Sequence, residues 1–249
     1  MVSATLGALT FVGDDSAATY TIEREGLKGW FDGADSRRES IPRPAAHGDF
    51  NVPTYLGGRI ISISGLILAT STAGYESAVS ALSGLLADGS SDELSVTEDA
   101  GTLTATVRRH GAPEVIPQVY GKRARYRVQF WSPDPRRYGA THNYGPSSSV
   151  SSIGHDGNFP AAPVLTIAGS SGGGYTVTGP GSRLITVTSA LASGHPHTID
   201  LATGALYKDG ARVLGGVSVY QPWTVPAGST VTASVSAGTV AIEVLDTFI

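Results

Sequence analysis

Arg123-Ala124-Arg125-Tyr126-Arg127-Val128-Gln129-Phe130-Trp131-Ser132-Pro133-Asp134-Pro135 alternates charged and apolar side chains. A period of two puts Arg123, Arg125 and Arg127 on one face of a strand and Tyr126, Val128 and Phe130 on the other. The strand must stop at Ser132, because Pro133 and Pro135 cannot continue a ladder. Working upstream, Val115–Tyr120, Leu103–Arg109 and Leu94–Thr97 read as further strands. Arg59–Leu68 is a strongly apolar one, with Arg59, Ile61 and Ile63 opposite Ile60, Ser62 and Ser64. Ala18–Glu23 is β-branched and aromatic enough to be a strand too. The 32 glycines and 14 prolines also favour strands and turns over helices.

One helix interrupts this pattern. Tyr75, Val79, Leu82, Leu85 and Leu86 form a single apolar stripe at helical spacing, with Thr72 as the expected N-cap and Gly89 as the C-terminal glycine. A helix with one apolar face is expected to lie on a sheet. Before it, Ile41-Pro42-Arg43-Pro44 to Val52-Pro53 is excluded from helix by its prolines and reads as an extended arm or loop.

Beyond the basic strand the composition changes. Of 17 Lys+Arg and 21 Asp+Glu, 14 and 16 precede Val150, so charge density falls sharply in the remainder. Residues 1–145 are read as one domain, the Ser/Gly-rich residues 146–157 as a connector and residues 158–249 as a second domain. The second holds short strands at regular spacing: Val164–Ala168, Gly174–Thr178, Leu184–Thr188, Thr198–Asp200, Ala205–Lys208, Ala211–Leu214, Ser229–Val235 and Thr239–Leu245. Asp209-Gly210 is a two-residue hairpin signal. This pattern predicts a β-sandwich or jelly roll. The fold class is therefore mainly β with one α-helix.

Composition also limits function. A net charge of −4 argues against a general nucleic-acid binder. The absence of cysteine excludes disulfides, cysteine-ligated metal and a thiol nucleophile. Met1–Asp15 lacks a signal peptide's basic start, and the uncharged stretch before Ile242 is broken by proline and glycine, so neither membrane insertion nor secretion is expected. No nucleophile elbow or phosphate-cradling loop occurs. Asp14, Asp15, Asp32, Asp35 and Asp134 would be the carboxylates of a hydrolase, but they lie among turn residues that prefer Asp for backbone reasons. His195, His197 and Asp200 are the one group with a metal-like look, weighed against an ordinary turn entering a strand. Tyr207, Tyr220 and Trp223 are either a sugar-stacking platform or core aromatics. The basic strand reads first as a salt-bridged solvent or subunit face.

The order of features resembles the distal tail protein family (Dit) of bacteriophages with long non-contractile tails. Four stretches carry the resemblance: Gly48-Asp49-Phe50 through Tyr55 to Gly65, the helix from Tyr75 to Ala87, Val128 to Tyr138 with its Pro133-Asp134-Pro135-Arg136 closure, and Gly157-Asn158-Phe159-Pro160 to Val164. Thr198 to Gly204 and the Asp209-Gly210 hairpin fit the same pattern. The resemblance covers essentially the whole chain. It implies an N-terminal belt domain (sheet plus helix) and a C-terminal galectin-like β-sandwich. Six belts would form a ring at the end of the tail tube, joining the tube protein to the tail-tip protein and carrying receptor-binding proteins, with DNA passing through the lumen. It implies a virion tail-tip protein made in the host cytoplasm, with no catalysis and no cofactor. Some members carry an inserted carbohydrate-binding module; residues 159–249 leave no room for one.

A closed ring needs two complementary sides on each subunit. Arg123, Arg125 and Arg127 are the expected basic side, and the acidic segment with Asp92 and Glu93 the other. The proline-rich segment 41–53 suits an arm that reaches a neighbour. Two other readings stay open: a carbohydrate-binding module, and another tail component such as a tube or tube-end protein.

Overall fold

The computed structural model describes residues 2–13 and 17–249. The chain divides into two compact units, residues 1–137 with residue 249, and residues 138–248. Each has its own buried apolar core.

The first unit consists of β1 (Ser3–Leu6), β2 (Leu9–Gly13), β3 (Tyr20–Ile22), β4 (Leu27–Lys28), β5 (Ser36–Arg37), β6 (Tyr55–Leu56), β7 (Arg59–Leu68), helix α1 (Thr72–Gly84), β8 (Ser91–Glu98), β9 (Gly101–Arg109), β10 (Glu114–Val119) and β11 (Arg123–Ser132). The strand order β11-β7-β3-β2-β1-β8-β9 returns to β11, because Phe130 and Trp131 also pair with Arg109 and Arg108. The sheet therefore closes into a barrel-like shape, where sequence reading expected only a sheet under a helix. Closure depends on long-range partners that a local pattern does not encode. The strands β1 and β2 fell in a segment read only for its lack of a signal peptide.

The strand β11 pairs along its whole length with β7, from Arg123 opposite Leu68 to Ser132 opposite Arg59. Its inward residues Ala124, Tyr126, Val128 and Phe130 are buried, as the alternation requires. The Tyr126 ring meets Phe11 and Tyr20 at centroid distances of 5.8 and 6.1 Å, and its hydroxyl donates to the Thr21 carbonyl at 2.9 Å. Opposite Tyr126 lies Gly65. A Cβ there would stand 1.7 Å from the Thr21 carbonyl oxygen, so only glycine lets β3 cross β7 this closely.

Helix α1 buries Tyr75, Ala78 and Leu82, and Ala78 accepts a 2.8 Å hydrogen bond from the Tyr20 hydroxyl. Its N-cap is Ser71, not Thr72: Ser71 is extended, and its hydroxyl accepts from the Gly74 amide at 3.1 Å. Gly89 is not the C-terminal cap either. The helix ends at Gly84, Leu86 takes the left-handed conformation, and Arg109 donates to the Ser83 carbonyl at 2.8 Å. The segment between β5 and β6 folds back on itself as a hairpin. Pro42 bridges Asp49, the Phe50 amide donates to the Ile41 carbonyl at 2.9 Å, and Arg43 lies over the Phe50 ring.

The second unit consists of β12 (Arg137–Ser147), β13 (Ser149–Ile153), β14 (Val164–Ala168), β15 (Tyr175–Thr178), β16 (Leu184–Val187), β17 (His197–Asp200), β18 (Ala205–Lys208), β19 (Ala211–Val213), β20 (Val217–Tyr220), β21 (Val231–Val235) and β22 (Thr239–Phe248). One sheet runs β12-β22-β14-β17-β18-β19 and the other β13-β21-β15-β16-β20. Leu165, Ile167, Ile199 and Ile242 from the first share one core with Val177, Ile185, Val187 and Ala233 from the second. This is a two-sheet sandwich. At the Asp209-Gly210 turn both residues have positive φ, and Lys208 pairs with Ala211, as a two-residue hairpin demands. Residues 146–157, read as a connector, contain the end of β12 and all of β13, which pairs with β21. Ser-rich composition hid a strand whose inward residues are only Val150 and Ile153.

Candidate functional site

The outer face of β11 presents Arg123, Arg125 and Arg127 to solvent. All three have neighbours within the chain. Arg125 Nη2 lies 2.9 Å from Glu23 Oε2, and that carboxylate pushes the guanidinium pKa upward. Arg123 Nε donates to Gln118 Oε1 at 2.7 Å, and Arg127 Nε to Ser62 Oγ at 3.3 Å. Arg123 lies outside a groove of about 370 Å³ that is lined by Arg125, Arg127, Glu23, Glu114, Lys28 and Ser64. Its walls carry both signs of charge, so it suits a polar segment rather than an apolar ligand.

Asp92 and Glu93 are exposed at the start of β8 and face Val107 and Thr106 across the ladder. Asp92 Oδ1 accepts from the Glu93 amide at 2.8 Å. The acid paired with the basic strand inside the protomer is therefore Glu23, which sequence order separates from it by about a hundred residues. Arg125 and Glu23 are exposed enough that their pairing adds little to stability.

A second arginine pair is buried. Arg59 Nη1 donates to the Trp30 and Gly29 carbonyls at 2.7 and 3.1 Å, and Arg137 lies over the Trp30 ring at 5.7 Å. Both guanidinium pKa values are lowered, chiefly by burial. Arg59 thus fastens the turn at Trp30, and its glycine-arginine step belongs to the core.

The other sequence candidates are dispersed. Asp14 and Asp15 lie outside the described residues. Asp32 caps the Gly29 amide at 3.0 Å, and Asp134 binds Arg136 at 2.8 Å. His195 Nδ1 pairs with Asp209 Oδ2 at 2.8 Å, His197 is fully buried against the Tyr175 hydroxyl, and Asp200 holds the Ala202 amide and Thr203 hydroxyl. Desolvation lowers the His197 pKa. Trp223 is a core residue and so not part of an exposed platform, whereas Tyr220 is partly exposed and its hydroxyl donates to the Leu201 carbonyl at 3.0 Å. One cluster was invisible in the sequence: His142, Asp156 and Asp246. Their spacing of up to about a hundred residues gives no local signal. Among the described residues no helix is long and apolar enough to cross a membrane.

Fold comparison gives the decisive match. The SPP1 Dit (gp 19.1) protein, a hub of the adsorption apparatus in phages infecting Gram-positive bacteria, superposes with a TM-score of 0.76, covering 100% of both chains at 10% identity. This chain has the Dit fold. A chain of the phage P2 baseplate in its activated conformation with Ca matches at a TM-score of 0.52, over 99% of this chain and 98% of that one, at 6% identity. No protein-family model matches the sequence, and no curated protein is found similar to it. At such low identity the Dit match speaks for the course of the chain and not for any side chain.

Proposed function

We propose that the protein is a structural hub of a phage tail tip. The first unit is the belt, which assembles with copies of itself into a closed ring of about six. The second unit is the galectin-like sandwich that faces outward-mounted partners. The tail tube protein docks on one side of the ring, the tail-tip protein on the other, and DNA passes through the lumen. The protein acts by assembly and not by catalysis.

The supporting observation is the end-to-end agreement with the SPP1 Dit protein, which covers the full length of both chains. The exposed basic face of β11, with Asp92 and Glu93 as its complement on the adjacent copy, is the proposed subunit contact. Light scattering of the purified chain, with negative-stain images of the same fraction, tests this. A species of about six protomers with a central hole is expected. Open-ended polymers would favour a tube component. A monomer whose tryptophan fluorescence responds to sugars would favour a binding module.

A further inference from the structure

We propose that His142, Asp156 and Asp246 form a binding site for one divalent transition-metal ion of the zinc or manganese class. The site lies in the second unit and does not rest on the tail-hub reading. Three separate segments supply it: β12 carries His142, the loop after β13 carries Asp156, and β22 carries Asp246. One ligand atom from each lies within 4.8 Å of the other two. His142 Nε2 stands 2.9 Å from Asp246 Oδ1 and 3.9 Å from Asp156 Oδ2. Two donors each about 2.1 Å from one ion are about 3 to 4 Å apart, so small shifts bring all three onto a common centre.

Burial supplies the independent reason. Asp246 is 5% exposed, and no Lys or Arg among the described residues pairs with it. Its two hydrogen bonds, from His142 Nε2 at 2.9 Å and the Asp156 amide at 2.7 Å, both come from the cluster itself. A buried carboxylate without a cation is costly. Two carboxylates and an imidazole nitrogen offer a divalent ion three ligand atoms and charge of the opposite sign. One imidazole nitrogen with two carboxylate oxygens suits zinc, manganese or ferrous iron, whereas calcium prefers oxygen alone.

The loop bearing Asp156 is held in place beforehand. The Gly157 amide donates to His155 Nδ1 at 3.0 Å, and the buried His155 contacts the Val225 carbonyl through Nε2. A Cβ on Gly157 would lie 2.1 Å from the Thr247 carbonyl oxygen, so the loop sits directly on β22.

Calorimetric titration of the whole chain with Zn²⁺, Mn²⁺ and Ca²⁺ tests the site, alongside His142→Gln, Asp156→Asn and Asp246→Asn. His142 and Asp156 are partly or largely exposed, so their variants keep the fold, which circular dichroism verifies. The expected result is one zinc per protomer, weakened at least tenfold in His142→Gln and Asp156→Asn and unchanged in His195→Gln. Zinc affinity equal in wild type, His142→Gln and Asp156→Asn would place the ion elsewhere and overturn the proposal. So would the absence of stoichiometric zinc binding, or calcium binding more tightly than zinc.

Discussion

The two units solve the same burial problem differently and leave different surfaces. The first closes its sheet, so its inward face is fully used and Phe11, Tyr126 and Phe130 are sealed. Even so, Phe50, Tyr55, Ile116, Tyr120 and Trp131 remain exposed on its outside. The second stacks two open sheets, buries Trp223 and Leu165, and exposes fewer large apolar residues, mostly near β19 and β20 at the sheet edges. A closed sheet has no core left to cover outward apolar groups, so these side chains stay on the surface of the first unit. Charge follows the same division, with 14 of the 17 basic residues before Val150. The exposed apolar and basic groups gathered on the first unit are the ground on which the contact between copies is proposed there.

The severest way to break this comparison is to strain the closure. Gly65→Ala drives a methyl into the Thr21 carbonyl. It should cost about 3 kcal/mol or more and lower the chemical-denaturation midpoint of the first unit alone. An equal shift of both units' transitions would show that the two cores are not independent. Trp223→Ala is the matching test in the second unit. Removing a buried ring there should cost about 3–5 kcal/mol. Assembly should persist at temperatures below the new transition, and loss of assembly in the still-folded variant would move the contact surface to the second unit.

A smaller effect sharpens the account of the barrel interior. Burial pushes the Tyr126 pKa far above its ordinary value, because the ionised ring is disfavoured inside. With the folded pKa raised above the unfolded one, this stability is present below about pH 10 and lost as pH rises beyond it. Tyr126→Phe should cost about 1 kcal/mol at neutral pH through the lost bond to Thr21. It should also flatten the alkaline loss of stability, measured by denaturation between pH 9 and 11. The smallest effect on the protomer belongs to Arg125→Glu, which should change its stability by less than about 1 kcal/mol while weakening oligomers. Adding Glu23→Arg restores the internal pair. If the double variant also restores the oligomer, the Arg125 charge serves the protomer and not the ring.

Legibility from sequence followed the range of the interactions. The strands β7, β11, β14 and β18 were readable because alternation and bounding prolines or glycines are local. The Asp209-Gly210 hairpin was readable because its turn chemistry is. The closure of the first sheet was not, since it rests on β9 meeting β11 and on β3 crossing at Gly65. The strand β13 was lost in a run of serines, and β20 was not among the strands read. The basic face of β11 was legible as a face, but its partner Glu23 was not. His195 and His197 looked like ligands because they are neighbours in sequence, while the cluster that does form draws on residues far apart.

The central claim is that copies of this chain meet through the first unit. Amide hydrogen exchange compared between dilute and concentrated protein tests it most directly. The account predicts protection gained at β10, β11 and the hairpin of residues 41–53, with the second unit unchanged. Protection gained only at β19 and β20 would contradict it.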